Sequence, residues 1–255
     1  MPEYFSRYEN LAMTRSEAGV LTLRFHTGGG PVIFTGRIHT EFTRALEDIA
    51  FDRENKVLVL TGTGDRFMTE IDVQSLGDVT KPMMADILYM EGRRVLQRLA
   101  DLEMPIIAAI NGPVSIHSEY ALLADVIVAS ETTTFSDYPH LTFGLVPGDG
   151  IHTVWEETLG VNRARHLIVT QGTFSAVEAK QWGAIAEVVP QDNVLLRALE
   201  IAEEIAKRPQ LLNRYIAVAI RRRISQHLAE GTTLGLALES LTGANLPYLK
   251  AAQSS

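Results

Sequence analysis

The chain contains no cysteine among its 255 residues. That absence excludes a disulfide framework, a thiolate metal centre and a cysteine nucleophile. It suits a reducing compartment, and we expect a cytoplasmic protein. Long apolar runs are missing too: none approaches the ~20 residues a membrane-spanning helix needs, so no membrane partner is expected. The opening MPEYFSRYEN lacks the basic-then-apolar pattern of a secretory signal. Positive charge is scarce. Against 31 acidic residues stand 23 lysines and arginines, for a net charge of −8. Phosphates would be repelled on average, which argues against a nucleic-acid partner. The one basic cluster, Arg221 to Arg223, lies in a helical pattern and reads as a solvated helix face. Repeats, linkers and low-complexity segments are absent as well.

What is present is an ordinary globular balance, 46% hydrophobic and 21% charged. VLTLRF (Val20 to Phe25) alternates like a strand, and KVLVLTGTG, PIIAAING and DVIVAS are continuous apolar runs of the kind buried on both faces. AIAEVV (Ala184 to Val189) reads as a late strand. Helical spacing covers about Ile38 to Phe51 and Lys81 to Leu102. GGGP (Gly28 to Pro31) has neither Walker nor GxGxxG spacing and reads as a loop. After Asp192 the chain looks wholly helical, in three stretches: LLRALEIAEEIAKR, LLNRYIAVAIRRRISQHLAE and LGLALESLTGANL. Strands alternating with helices predict an α/β core over residues 1–192, followed by a helical region over 193–255. Periodicity leaves open whether that tail covers its own core or a neighbour's.

Four polar residues sit oddly among apolar and glycine-rich neighbours: His117 and Glu119 in PVSIHSEYALLAD, and His140 and Asp149 in FSDYPHLTFGLVPGDG. Taken singly, a histidine beside a buried strand reads as a hydrogen-bonded structural group, and an aspartate between glycines as a turn residue. His26, His39, His152, His166 and His227 gain no support beyond that reading.

Four ordered segments carry a resemblance. KVLVLTGTGDRFMTEIDVQSL, PIIAAINGPVSIHSEYALLADVIVAS, FSDYPHLTFGLVPGDG and FSAVEAKQWGAIAEVV together resemble the crotonase (enoyl-CoA hydratase/isomerase) superfamily over nearly the whole chain. The resemblance implies an α/β spiral of ββα units, a C-terminal helical trimerisation region, and a homotrimer or dimer of trimers. An ordinary CoA-processing member carries a glycine-rich N-G-x-x-x-G-G-G-x-E loop, whose backbone amides hold a thioester oxygen. This chain has Asn111-Gly112-Pro113-Val114-Ser115-Ile116-His117-Ser118-Glu119 there, and Phe67-Met68-Thr69-Glu70-Ile71-Asp72 in place of F-x-A-G-A-D.

These departures resemble the 6-oxocamphor hydrolase type of β-diketone hydrolase, whose members cleave a carbon–carbon bond between two carbonyls without CoA. The resemblance implies His117, His140, Asp149 and Glu239 as catalytic residues. It puts Phe34, Ile71, Ile116 and Glu119 against substrate, with a small diketone as the partner and neither cofactor nor metal. Phe34 stands where that branch carries tryptophan, and it has no N–H to donate.

The chemistry needs a base for water, a holder for negative oxygen and a proton for the enolate carbon. The resemblance points to His140 as the base, steadied by Asp149 on its other nitrogen. His117 then holds the carbonyl that becomes the enolate, and Glu239 positions water or moves a proton. Glu119 is vestigial, structural or a partner of His117. Three rivals stand beside this reading. One is a CoA-thioester hydratase or isomerase, and another a non-catalytic trimeric scaffold. The third is a metal hydrolase using His117, Glu119, His140 and Asp149, which lacks any HExxH-like spacing.

Overall fold

The computed structural model describes residues 2–253, with side chains described through residue 246. A short 3-10 helix, Glu3–Ser6, precedes an antiparallel pair, β1 (Leu11–Arg15) and β2 (Val20–Phe25). After β2 the pattern becomes spiral. A two-residue strand, β3 (Ile33–Phe34), leads into α1 (Gly36–Phe51), capped by the Thr35 side chain accepting from the Ile38 amide. Then follow β4 (Val57–Thr61), β5 (Glu70–Ile71), α2 (Pro82–Ala100), β6 (Ile106–Ile110), α3 (Ser118–Leu122), β7 (Val126–Ser130) and β8 (Thr134–Phe135). The remainder is α4 (Pro139–Phe143), α5 (Ile151–Leu159), α6 (Val161–Thr170), β9 (Phe174–Ser175), α7 (Ala176–Gln181), β10 (Glu187–Val189), α8 (Val194–Ala206) and α9 (Gln210–Gln253).

Six strands form the main sheet in the order β1-β2-β4-β6-β7-β10, parallel throughout except for β1. The apolar runs are continuous because each strand feeds two cores. Leu58, Leu60, Ile106, Ala108 and Ile110 enter the large core, while Val57, Val59, Ile107, Ala109 and Val128 point the other way. There α8 closes the face with Val194, Ala198, Ala202 and Ala206, whose small side chains let the helix lie close to the sheet. A second layer is made of short pieces. β3 pairs with β5, β8 pairs with β9, and single bridges join Met68 to Val114 and Val114 to Phe135. Each turn of the spiral thus adds a long strand to the main sheet and a short one to the second layer.

Two features of the tail differ from expectation. The second and third helical stretches are one helix, α9, running 44 residues. The intervening Gly231-Thr232-Thr233 lowers helix propensity but contains no proline, and a glycine alone costs only ~1 kcal/mol. Gly231 serves packing: a Cβ there would lie 2.3 Å from Thr153 Oγ1. The basic cluster is not a solvated face throughout. Arg221 is buried, donating to the carbonyls of Leu99 (2.9 Å), Leu102 (2.5 Å) and Met104 (2.6 Å) and pairing with Asp125 at 3.2 Å. These carbonyls close the end of α2 and the entry to β6, where a five-donor fork finds acceptors that water cannot reach. Arg222 and Arg223 remain exposed. The tail covers its own core, since α9 packs on α2 and α5 of the same chain. Among the described residues no helix is long and apolar enough to cross a membrane.

Candidate functional site

A cavity of about 260 Å³ lies under α9, between the second layer and α2. Phe34, Ile71, Ile116, His117, His140, Asp149 and Glu239 all line it. Seven of the eight residues singled out from the sequence therefore converge. The eighth, Glu119, sits fully buried behind His117 instead of facing the space. Most of the remaining wall is apolar, including Leu76, Leu88, Phe143 and Leu236.

His117 owes its place to backbone strain. It precedes α3 with φ 50° and ψ 46°, the left-handed region that glycine prefers. Among the described residues only Gln171 shares this without being glycine. A single such residue costs of order 1–3 kcal/mol and needs surrounding contacts to hold it. Those contacts are present. The ring stacks on Tyr120 with centroids 4.6 Å apart and planes at 1°, and leans on Phe34 at 4.3 Å. Its Nδ1 lies 2.6 Å from Glu119 Oε1, which places a proton there as donor, and 3.3 Å from Asp149 Oδ2.

His140 sits in the first turn of α4 and presents both nitrogens to carboxylates. Nδ1 donates to Asp137 Oδ1 at 2.7 Å, while Nε2 lies 3.5 Å from Asp149 Oδ2 and 3.9 Å from Glu239 Oε1. A carboxylate on the ring's second nitrogen was expected, but two acids flank the ring. Asp149 faces Nε2 and Asp137 holds Nδ1. Asp149 comes from the turn Pro147-Gly148-Asp149-Gly150, and its Oδ1 accepts from the Ile151 amide at the start of α5. It stands between the two imidazoles. Glu239 arrives from α9, and its Oε2 is buried without a hydrogen-bond partner among the described residues.

The charge balance follows from these contacts. Burial pulls both histidines down, but the carboxylates outweigh it. Asp149, Asp137 and Glu239 push His140 up to about 10, and Glu119 and Asp149 do the same to His117. Burial also acts to raise Asp149, yet the two imidazolium rings hold it well below the usual carboxylate range. Glu239 and Glu119 are each pushed up to about 7, by burial first and by the Asp149 charge as well. At neutral pH the site thus holds two cationic donors bridged by a firmly ionised aspartate, with two glutamates near mid-titration.

Sequence reasoning missed Asp137 and His39. Asp137 is a lone acid three residues before His140, and only that spacing signalled it. His39 reads as structural, yet it lines the cavity, with its Nδ1 3.0 Å from Glu91 Oε2 and its ring 6.3 Å from that of His117. Its place on the inward face of α1 was the available signal. His117, Glu119 and Asp149 also form a group able to hold a cation, with donor atoms within 4.8 Å of one another. A metal there would have to displace the proton that His117 shares with Glu119.

The spiral of long and short strands closed by a terminal helix has the architecture of the crotonase type, and the buried acid–imidazole cluster sits within it. Residues 15–246 match the enoyl-CoA hydratase/isomerase family, and the chain belongs to it. It is 27% identical to a probable enoyl-CoA hydratase of Mycobacterium bovis over 226 residues, covering 88% of this chain and 86% of that protein. It is 29% identical to a probable peroxisomal enoyl-CoA hydratase of Arabidopsis thaliana over 233 residues, with 89% and 84% covered. Among solved structures, a β-diketone hydrolase from the cyanobacterium Anabaena sp. PCC 7120, bound to (S)-3-oxocyclohexyl acetic acid, is 48% identical with a TM-score of 0.95. That match covers 97% of this chain and 99% of that one. An enoyl-CoA hydratase/isomerase from Mycobacterium paratuberculosis, at 20% identity and a TM-score of 0.85 over 92% of this chain and 94% of that one, shares the fold.

Proposed function

We propose that this protein is a hydrolase that cleaves the carbon–carbon bond between the carbonyls of a cyclic or bicyclic β-diketone with water, giving a keto acid. The observation that carries this reading is the pair of imidazoles bridged by Asp149 and faced by Glu239 in one small cavity. The 48% identity to the Anabaena β-diketone hydrolase supports it. So does the chemistry of that enzyme's bound keto acid. Joining its carboxyl carbon to the ring carbon beside the ketone, on the side away from the acetate arm, regenerates a bridged bicyclic β-diketone. A cavity of about 260 Å³ lies just below the usual ligand-pocket range of ~300–1,000 Å³ and suits so compact a molecule.

The charge balance refines the roles expected from the resemblance. A ring held as imidazolium donates; it does not take a proton from water. Glu239, raised to about 7, has the strength of a base near neutral pH. Glu239 therefore takes the proton of the attacking water. His140 Nε2–H holds the oxyanion formed at the attacked carbonyl, and His117 holds the second carbonyl oxygen as it becomes an enolate. The bond between the carbonyl carbon and the central carbon breaks, and its electron pair becomes the enolate. Glu239 returns its proton to that carbon, so one group carries the proton both ways. Asp149 keeps both rings charged, and Phe34 offers a ring face to the substrate. Neither cofactor nor metal has a step in this scheme. We place the enzyme in the cytoplasm as a homotrimer or dimer of trimers, in which exposed apolar side chains of α9 such as Leu211, Tyr215 and Ile220 would be covered.

The thioester reading draws on the names of the curated relatives and on Glu119, which matches a hydratase glutamate. Glu119 is locked behind His117, away from the cavity, which disfavours it. The deciding experiment offers purified protein bicyclic and monocyclic β-diketones beside crotonyl-CoA. We expect diketone loss and keto acid formation. Hydration of crotonyl-CoA with no diketone cleaved would overturn the proposal.

A further inference from the structure

The shortest contact to the His140 ring comes from a residue to which the scheme above gives no part. Asp137 Oδ1 lies 2.7 Å from Nδ1, closer than either Asp149 or Glu239 comes to Nε2, and both side chains are buried. The acid is held from outside the ring as well. The Ser136 amide donates to the Val114 carbonyl and the Tyr138 amide to the Ser115 carbonyl, so the backbone on both sides of Asp137 is tied to the loop that carries His117. On its other side, Pro139 stiffens the entry to α4.

We propose that Asp137 is a positioning residue for the reaction: it fixes His140 with Nδ1–H pointing out of the site and Nε2–H pointing in. This rests on the hydrolase reading for its consequence, though not for its geometry. An imidazole free to rotate about its two side-chain torsions offers either nitrogen to substrate. With Nδ1 engaged, only Nε2 faces the reacting carbonyl. The charged groups facing the ring are then Asp137 from the segment after β8, Asp149 from the turn before α5 and Glu239 from α9, with His117 beyond Asp149. Asp137 supplies a charge that substrate binding does not disturb, because it lies on the side of the ring away from the cavity, whose lining it does not join. An aspartate that merely anchored α4 would have no influence on how the ring titrates or which nitrogen keeps the last proton.

The test is nitrogen-15 NMR of histidine-labelled protein without substrate, with the His140 signals assigned by their loss in His140→Gln. In the wild type, raising the pH should remove the Nε2 proton and leave a neutral ring protonated on Nδ1. In Asp137→Asn, which keeps an acceptor but loses the charge, the midpoint should fall by roughly 1–3 pH units. The alkaline limb of the turnover of a cleaved diketone should move down in pH with that midpoint, and Asp137→Glu should restore the charge effect in the titration. A neutral wild-type ring protonated on Nε2 would overturn the proposal, and so would an unchanged midpoint in a folded Asp137→Asn protein. If that variant does not fold, the wild-type tautomer still decides. If the NMR results hold and no diketone is cleaved, the hydrolase reading fails while the assignment of Asp137 to the ring stands.

Discussion

Gly148 and Gly235 meet backbone to backbone. A Cβ on Gly235 would lie 2.3 Å from the Gly148 carbonyl oxygen, and one on Gly148 would lie 2.1 Å from the Gly235 oxygen. Neither approach is open to any other residue. The contact brings α9 down onto the turn that carries Asp149, four residues before Glu239 on the helix. Gly235→Ala should therefore lift α9 and cost about 1–3 kcal/mol in stability. Its larger effect should fall on turnover, since a ~1 Å displacement of a catalytic group costs about 10²-fold. Paired denaturant melts and steady-state kinetics on the variant would show this disproportion; equal or negligible losses would show that the contact does not set the position of Glu239.

The pH profile of kcat/KM should be bell-shaped. Glu239 must be ionised to take a proton from water, and its carboxyl is raised to about 7, so activity rises as pH climbs through that value. His117 and His140 must be protonated to donate, and both are raised to about 10, so activity falls as pH passes that value. Glu239→Gln should remove most of the turnover and flatten the lower limb of what remains. An acid limb unchanged in that variant would assign the limb to another group.

His140 and Asp149 should act as a unit. Asp149→Asn takes a negative charge from between the two rings, and His140→Ala removes one of the donors. Each alone should cut turnover sharply, and the double variant should be little worse than the worse single one, because residues serving one step are not additive. Independent, multiplying losses in a kinetic double-mutant cycle would separate the two.

Arg221 should matter to stability and little to chemistry. Arg221→Met leaves the carbonyls of Leu99, Leu102 and Met104 without their donor and Asp125 buried without its cation. Breaking one side of a buried pair costs about 3–5 kcal/mol. Urea unfolding should register the loss, and kcat per folded enzyme should stay near that of the wild type. A variant as stable as the parent would mean that water reaches this site.

The main strands were legible in the sequence because runs such as VLVLT and IIAAI are apolar on both faces, a pattern few other elements produce. The second layer was not. β3, β5, β8 and β9 are two residues long, too short for any periodicity, and their partners lie far away in the chain. β1 escaped notice, as did α5 and α6, which only Gly160 at φ 86° separates. In α9, Gly231 looked like a break when it is a contact. Within the site, His117, His140 and Asp149 stood out as polar residues among apolar and glycine-rich neighbours, but their roles, and Glu239 altogether, came through resemblance. Asp137 and His39 stayed hidden because their importance lies in a hydrogen bond and a direction, which one-dimensional order does not record. The Arg221 cluster misled for a similar reason: three consecutive arginines occupy three different sides of a helix, and one of them points inward.

The continuity of α9 gives the site a mechanical character. Glu239 lies eighteen residues beyond Arg221 on one unbroken helix, about 27 Å along the axis at 1.5 Å per residue. Arg221 holds one point of the rod, and the Gly148–Gly235 contact holds another four residues short of the carboxylate. By simple leverage over the whole length, a tilt of about 2° about Arg221 that this second contact failed to resist would move the carboxylate by about 1 Å, enough to alter the rate of reaction. A neighbour gripping the exposed apolar side chains near the start of the helix would have that leverage on a proton it never touches.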